Sequence, residues 1–115
     1  MHDEATALMK TLIFTLDLIV NNEGEKRQRI ANAYAEAQGL VATIAPENGS
    51  VRPRIVACFQ RSDAYRAKDD IAAAGWILTA IRERIAEKDL PEWEKLATRA
   101  DKAAQMLPPS ESRLR

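Results

Sequence analysis

Apolar residues recur along this chain at steps of three and four in four separate segments, a spacing that gathers side chains on one face of a helix. Leu8, Leu12, Leu16 and Ile19 share a face in the first segment, and Ile30, Ala33, Tyr34, Ala37, Val41 and Ile44 in the second. The third carries Ile71, Ala74, Leu78, Ile81 and Ile85, and the fourth Trp93, Leu96, Ala100, Ala103 and Leu107. Alternating steps of this kind close antiparallel bundles at small crossing angles. Twenty alanines in 115 residues add the residue with the highest helix propensity. The expected fold is all-α, a small bundle of four to five amphipathic, mostly antiparallel helices. It should form one domain over residues 1–107, followed by a disordered tail at 108–115 that opens on Pro108-Pro109.

Breaks between the segments fit this reading. Asn21-Asn22-Glu23-Gly24 predicts a turn, and Ala45 to Ser50, with a proline and an Asn-Gly pair, predicts a second break. Ser62 is the expected N-cap of a long third helix, which leaves Val51 to Arg61 as a short helix with Pro53 in its first turn. Asp89-Leu90-Pro91-Glu92 has the spacing of a capping box with an early proline, so Asp89 is the expected start of the last helix. A competing α+β reading rests on the strict alternation of Leu12, Phe14, Leu16, Leu18 and Val20. It would build a three-stranded sheet from 11–20, 40–45 and 54–59, the last two paired around Asn48-Gly49.

Charge and length restrict the function classes. A chain of 115 residues, 46% hydrophobic and 30% charged, has the size and composition of one globular core. Lys plus Arg and Asp plus Glu both number 17, so there is no global positive field to draw the chain to nucleic acid or an anionic membrane. The apolar run Leu12 to Val20 is about half the length of a membrane span, and the N-terminus has no basic stretch of the kind that opens a secretion signal. Neither membrane insertion nor export is expected. The single Cys58, between Ala57 and Phe59, reads as a small buried hydrophobe in a reducing cytoplasm.

Chemistry-bearing residues are sparse. His2 is the only histidine, and none of Gly24, Gly39, Gly49 and Gly75 stands in a phosphate-loop frame. Glu83 with Glu87 and the pair Asp69-Asp70 are the acids nearest to a Mg²⁺-type arrangement. Interleaved with Arg82, Arg84 and Lys88, the two glutamates read instead as a solvated charged face. No cofactor, no metal and no catalytic activity are therefore expected.

Two patches remain. Residues 52–68 hold five bases, Arg52, Arg54, Arg61, Arg66 and Lys68, against one acid, Asp63, with the element order of a helix-turn-helix; they are candidate nucleic-acid contacts. Lys26, Arg27 and Arg29 form a smaller basic cluster. The stronger signal lies on the third long helix, where Trp76 falls opposite the expected core stripe at about 100° per residue. Tyr65, Ala72, Ala73 and Ala80 fall on that same far side. A helix apolar on two faces is either enclosed by neighbours or part of an interface, and the expected partner interface is Tyr65, Ala72, Ala73, Trp76 and Ala80. The functional expectation is a non-enzymatic helical regulator of the adaptor, inhibitor or antiactivator kind, such as a phage or plasmid accessory protein. It would bind a protein partner or itself as a homodimer, with nucleic-acid regulation as the alternative.

Overall fold

The computed structural model describes residues 2–21, 27–44 and 52–107. They form five helices, α1 (His2–Val20), α2 (Arg27–Ile44), α3 (Arg52–Tyr65), α4 (Asp70–Ile85) and α5 (Trp93–Ala104), and no strand occurs among the described residues. The sheet alternative is not supported: 11–20 lie inside α1, 40–44 close α2 and 54–59 lie inside α3. Residues 12–20 satisfy both periods, and packing decides between them. A helix buries Leu8, Met9, Leu12, Ile13, Leu16 and Ile19 on one side, whereas a strand would have set Leu12 and Leu16 on one face with Phe14, which is 44% exposed, and Ile13 and Ile19 on the other. Each fully buried leucine contributes about 1.5–3 kcal/mol, so the helical arc outweighs the alternation. The break at 45–50, the tail at 108–115, the lysine of the Lys26 cluster and all of the first turn except Asn21 lie outside the described residues.

The helices α1 to α4 form a ring of neighbours, α1 on α2, α2 on α3, α3 on α4 and α4 on α1, with α5 laid against α1 and α4. The α3–α4 pair is antiparallel, because cross-helix partners rise in one number as they fall in the other. Arg54 meets Glu83 at 2.8 Å, the Arg61 guanidinium lies 4.8 Å over the Trp76 ring, and the Ser62 hydroxyl donates to the Ala73 carbonyl at 2.7 Å.

Two expected helix starts are corrected. Ser62 does not cap α4; it is buried within α3, which runs on to Tyr65 because the hydroxyl finds its acceptor on a neighbouring helix. The chain turns at 66–68, and the Asp69 side chain caps α4 by accepting from the Ile71 and Ala72 amides, both at 3.1 Å. Likewise Asp89 does not begin α5. Glu92 is its N-cap, in left-handed backbone at φ 60 without a side-chain capping bond, while Asp89 is drawn to Arg84. The arginine was expected on a solvated face, yet its side chain is only 3% exposed.

Arg84 ties the 86–92 segment to the end of α4. Its guanidinium donates to both Asp89 oxygens, at 2.6 and 3.3 Å, and lies 3.0 Å from Glu87, while its buried Nε has no hydrogen-bond partner among the described residues. The segment it holds includes Lys88 at φ 57, left-handed backbone that costs a non-glycine residue about 1–2 kcal/mol.

A polar chain threads the core. Because the Ser62 hydroxyl donates to Ala73, its oxygen accepts from the Tyr34 hydroxyl at 2.6 Å, which joins α2, α3 and α4. The Tyr34 ring packs 5.8 Å from Phe59 and carries the Arg66 guanidinium 4.9 Å above it. Burial pushes the Tyr34 phenol from 10.0 up to about 12, against the Ser62 hydrogen bond and then the Arg66 charge, which pull it down.

Two predictions follow from these groups. A phenol whose folded value is raised stabilises the native state fully below pH 10 and loses that contribution as the pH climbs toward 12. Tyr34→Phe should therefore cost about 1 kcal/mol near neutrality, and the gap to the unsubstituted protein, followed by urea midpoints, should narrow between pH 10 and 12. A constant gap would mean that the phenol is not held neutral. Asp89→Ala leaves a buried guanidinium half satisfied and should cost about 1–3 kcal/mol. Arg84→Met, which removes the charge but keeps the aliphatic stem, should cost less in the same urea series.

Candidate protein interface

Two parallel rows of side chains line the outer surface of the α3–α4 hairpin. On α3, Arg54, Arg61 and Tyr65 fall at steps of seven and four; on α4, Ala72, Trp76, Thr79 and Glu83 fall at steps of four, three and four. Both spacings repeat one helical face. The rows are stitched at two levels, by the Arg54–Glu83 ion pair and the Arg61–Trp76 stack. Beyond them Tyr65 is 41% exposed. Small residues flank the rows, Ala57 and Ala64 exposed on α3 and Gly75 half-buried on α4, so the surface is shallow, with the aromatic rings as its relief.

Of the five residues expected at a partner interface, the structure keeps Tyr65, Ala72 and Trp76 on this face, with Ala72 and Trp76 half-buried. Ala73 and Ala80 are turned inward, 1% and 0% exposed, and cannot touch a partner in this arrangement. The expected core stripe was centred too close to Ile71, which is only half-buried, and it omitted Ile77, which is fully buried. With α1, α3 and α5 all packed on α4, the buried arc is wide enough to include Ala73, Ala80 and Arg84. Small side chains at the first two let α3 approach closely enough for the Ser62–Ala73 hydrogen bond. Trp76 itself rests partly on the core, with its remaining face under Arg61.

The basic segment is divided rather than gathered. Arg54 pairs with Glu83, and Arg66 with Asp63 at 3.2 Å while also covering Tyr34. Arg61 stacks on Trp76, Lys68 is exposed in the turn after α3, and the side chain of Arg52 lies outside the described residues. Of the smaller cluster, Arg29 is exposed on α2. Arg54 and Arg61 therefore face α4, whereas Arg66 faces α2, and the five do not form one basic stripe.

Three of the four acids weighed for metal chemistry are committed elsewhere: Asp69 caps α4, Glu83 holds Arg54 and Glu87 holds Arg84. Among the described residues no three His, Cys, Asp or Glu stand together as a metal-holding group. Beneath the rows, Cys58 is buried, and burial followed by the Glu83 charge pushes its thiol up, away from the reactive thiolate. A cleft of about 140 Å³ between α4 and α5, floored by Ile85, Ala97 and Ala100, is bridged by Arg82–Asp101 at 3.2 Å, with Lys88 5.6 Å over Trp93 at its side. It is smaller than the roughly 300 Å³ at which sites for drug-sized ligands begin. No described helix is long and apolar enough to cross a membrane.

The chain matches no known family model, and neither a curated protein nor a solved structure is significantly similar to it.

The two alanine positions give a sharp contrast. Ala80→Glu would bury a charge among α3 and α4 and should cost more than about 3 kcal/mol; Ala72→Glu, on the outer row, should change stability by no more than about 1 kcal/mol. Thermal unfolding of the two variants checks the assignment of inner and outer faces, and equal losses would contradict it.

Proposed function

We propose that this protein is a non-enzymatic regulator that acts in the cytoplasm by docking another protein, or a second copy of itself, on the α3–α4 face. The observation that carries this reading is the Arg61–Trp76 stack standing beside exposed Tyr65 on a surface flanked by small residues. Trp, Tyr and Arg are the side chains that supply most of the binding energy at protein interfaces, where a well-enclosed anchor is worth about 2 kcal/mol or more. Their rings are amphipathic and stiff, so little conformational entropy is lost when a partner covers them. Fixing Arg61 on Trp76 also settles its orientation before the partner arrives. Regulation would then consist of masking whatever surface the partner presents.

The test is a Tyr65→Glu, Ala72→Glu double variant, which places two charges on the outer rows without touching the core. Light scattering, and pull-down with the unsubstituted protein as bait, should detect a dimer or a defined partner that the double variant loses while keeping its helical circular dichroism. A complex that survives the double substitution would move the docking site elsewhere. Co-purifying nucleic acid that disappears when Arg54 and Arg61 are replaced would overturn the reading in favour of a nucleic-acid regulator.

A further inference from the structure

Arg61 is the cation that the face leaves unanswered. Arg54 in α3 and Arg66 in the turn that follows it have Glu83 and Asp63 at 2.8 and 3.2 Å. Among the described residues no carboxylate pairs with Arg61, which is exposed and held only by its stack on Trp76. Stacking occupies the flat side of a guanidinium and leaves its edge N–H groups pointing outward, in the fork that a carboxylate accepts from two donors at once. From Arg54 to Tyr65 the row spans about 16 Å at the helical rise per residue, or three turns. The alanines and glycine beside it permit the 8–10 Å approach at which helices pack.

Resting on the docking reading above, we propose that the occupant of this face is an acidic amphipathic helix of another protein. Its apolar side would lie on Tyr65, Trp76 and Ala72, and a Glu or Asp one or two turns along would be forked by Arg61. The same charge argues against a second copy. A two-fold interface sets a patch against itself, and two such faces centred on Arg61 would set the two guanidiniums near each other, with Glu83, the acid of the rows, already held by Arg54. A partner acid turns the charge of Arg61 into a specificity element, since a neutral or basic helix would bury it without an acceptor.

The probe is a capped synthetic helix of about 18 residues, long enough to cover the row, with leucines on one side and glutamates flanking them. Control peptides carry Gln or Lys at the glutamate positions. Trp93→Phe leaves Trp76 as the only tryptophan, so its emission reports this face directly. The Glu peptide should shift that emission saturably and bind at least about tenfold more tightly than the Gln peptide, the margin of a charge-assisted pair. Arg61→Met should erase the difference between the two peptides. Equal binding of the Glu and Gln peptides, a preference that survives Arg61→Met, or no binding of the Glu peptide would each overturn the proposal. Loss of peptide binding together with self-association that Tyr65→Glu, Ala72→Glu abolishes would assign the face to a second copy; the acidic helix would then fall while the docking reading stood.

Discussion

The enclosure of α4 on three sides organises the rest of the molecule. A helix of sixteen residues flanked by α1, α3 and α5 must be apolar well beyond the stripe a two-layer packing requires, and α4 is: Ala73, Ala74, Ile77, Leu78, Ala80, Ile81 and Ile85 are all buried. Its neighbours approach closely only because alanine occupies the positions nearest them. That close approach brings Ser62 to the Ala73 carbonyl and lays α3 alongside α4, so the outer rows of the two helices become one surface. The candidate interface is thus a by-product of the core, held in place by contacts that lie beneath it.

Much of this could be read from the chain alone, and the reason is physical. The stripes Leu8/Leu12/Leu16, Ala33/Ala37/Val41 and Leu96/Ala100/Ala103 are buried as their spacing requires, because each belongs to a helix with one dominant packing direction. The spacing was least informative in α4, where several directions are packed at once and a single angular average points between them. Of the candidate interface, Ala72 and Trp76 share an outer face of α4, whereas Tyr65 ends α3 and comes level with them only because the two helices run antiparallel, so no angle along a single helix relates it to them. Alanine, moreover, carries no signal that separates an outer position from a close helical contact, and Ala73 and Ala80 are turned inward.

Polar residues at helix ends were the other weak point. Ser62 and Asp89 both sit in sequences that suit a cap, and both are used over longer range, Ser62 across helices and Asp89 on Arg84. A cap satisfies a backbone amide on a surface; a partner inside the core satisfies a group that would otherwise be stranded at greater cost. Tertiary demand therefore takes the side chain, and a neighbouring residue, Asp69 or Glu92, becomes the boundary. Arg84 shows the same logic in reverse, since nothing in the run Arg82-Glu83-Arg84 distinguishes the buried member from the exposed one except its angle toward the centre of the bundle.

The hydrogen-bond chain from Tyr34 through Ser62 to Ala73 has a further consequence. Alanine-rich helices offer nearly equivalent packing when one slides past another by a turn, so apolar burial alone leaves several alignments close in energy. A donor on α2, a relay on α3 and an acceptor on α4 coincide at one longitudinal offset only. At any other, two hydroxyls would be stranded in the interior. The chain therefore acts as a vernier for three helices at once, selecting a unique alignment from a family of near-degenerate ones and fixing which side chains of α3 and α4 stand level with each other at the surface.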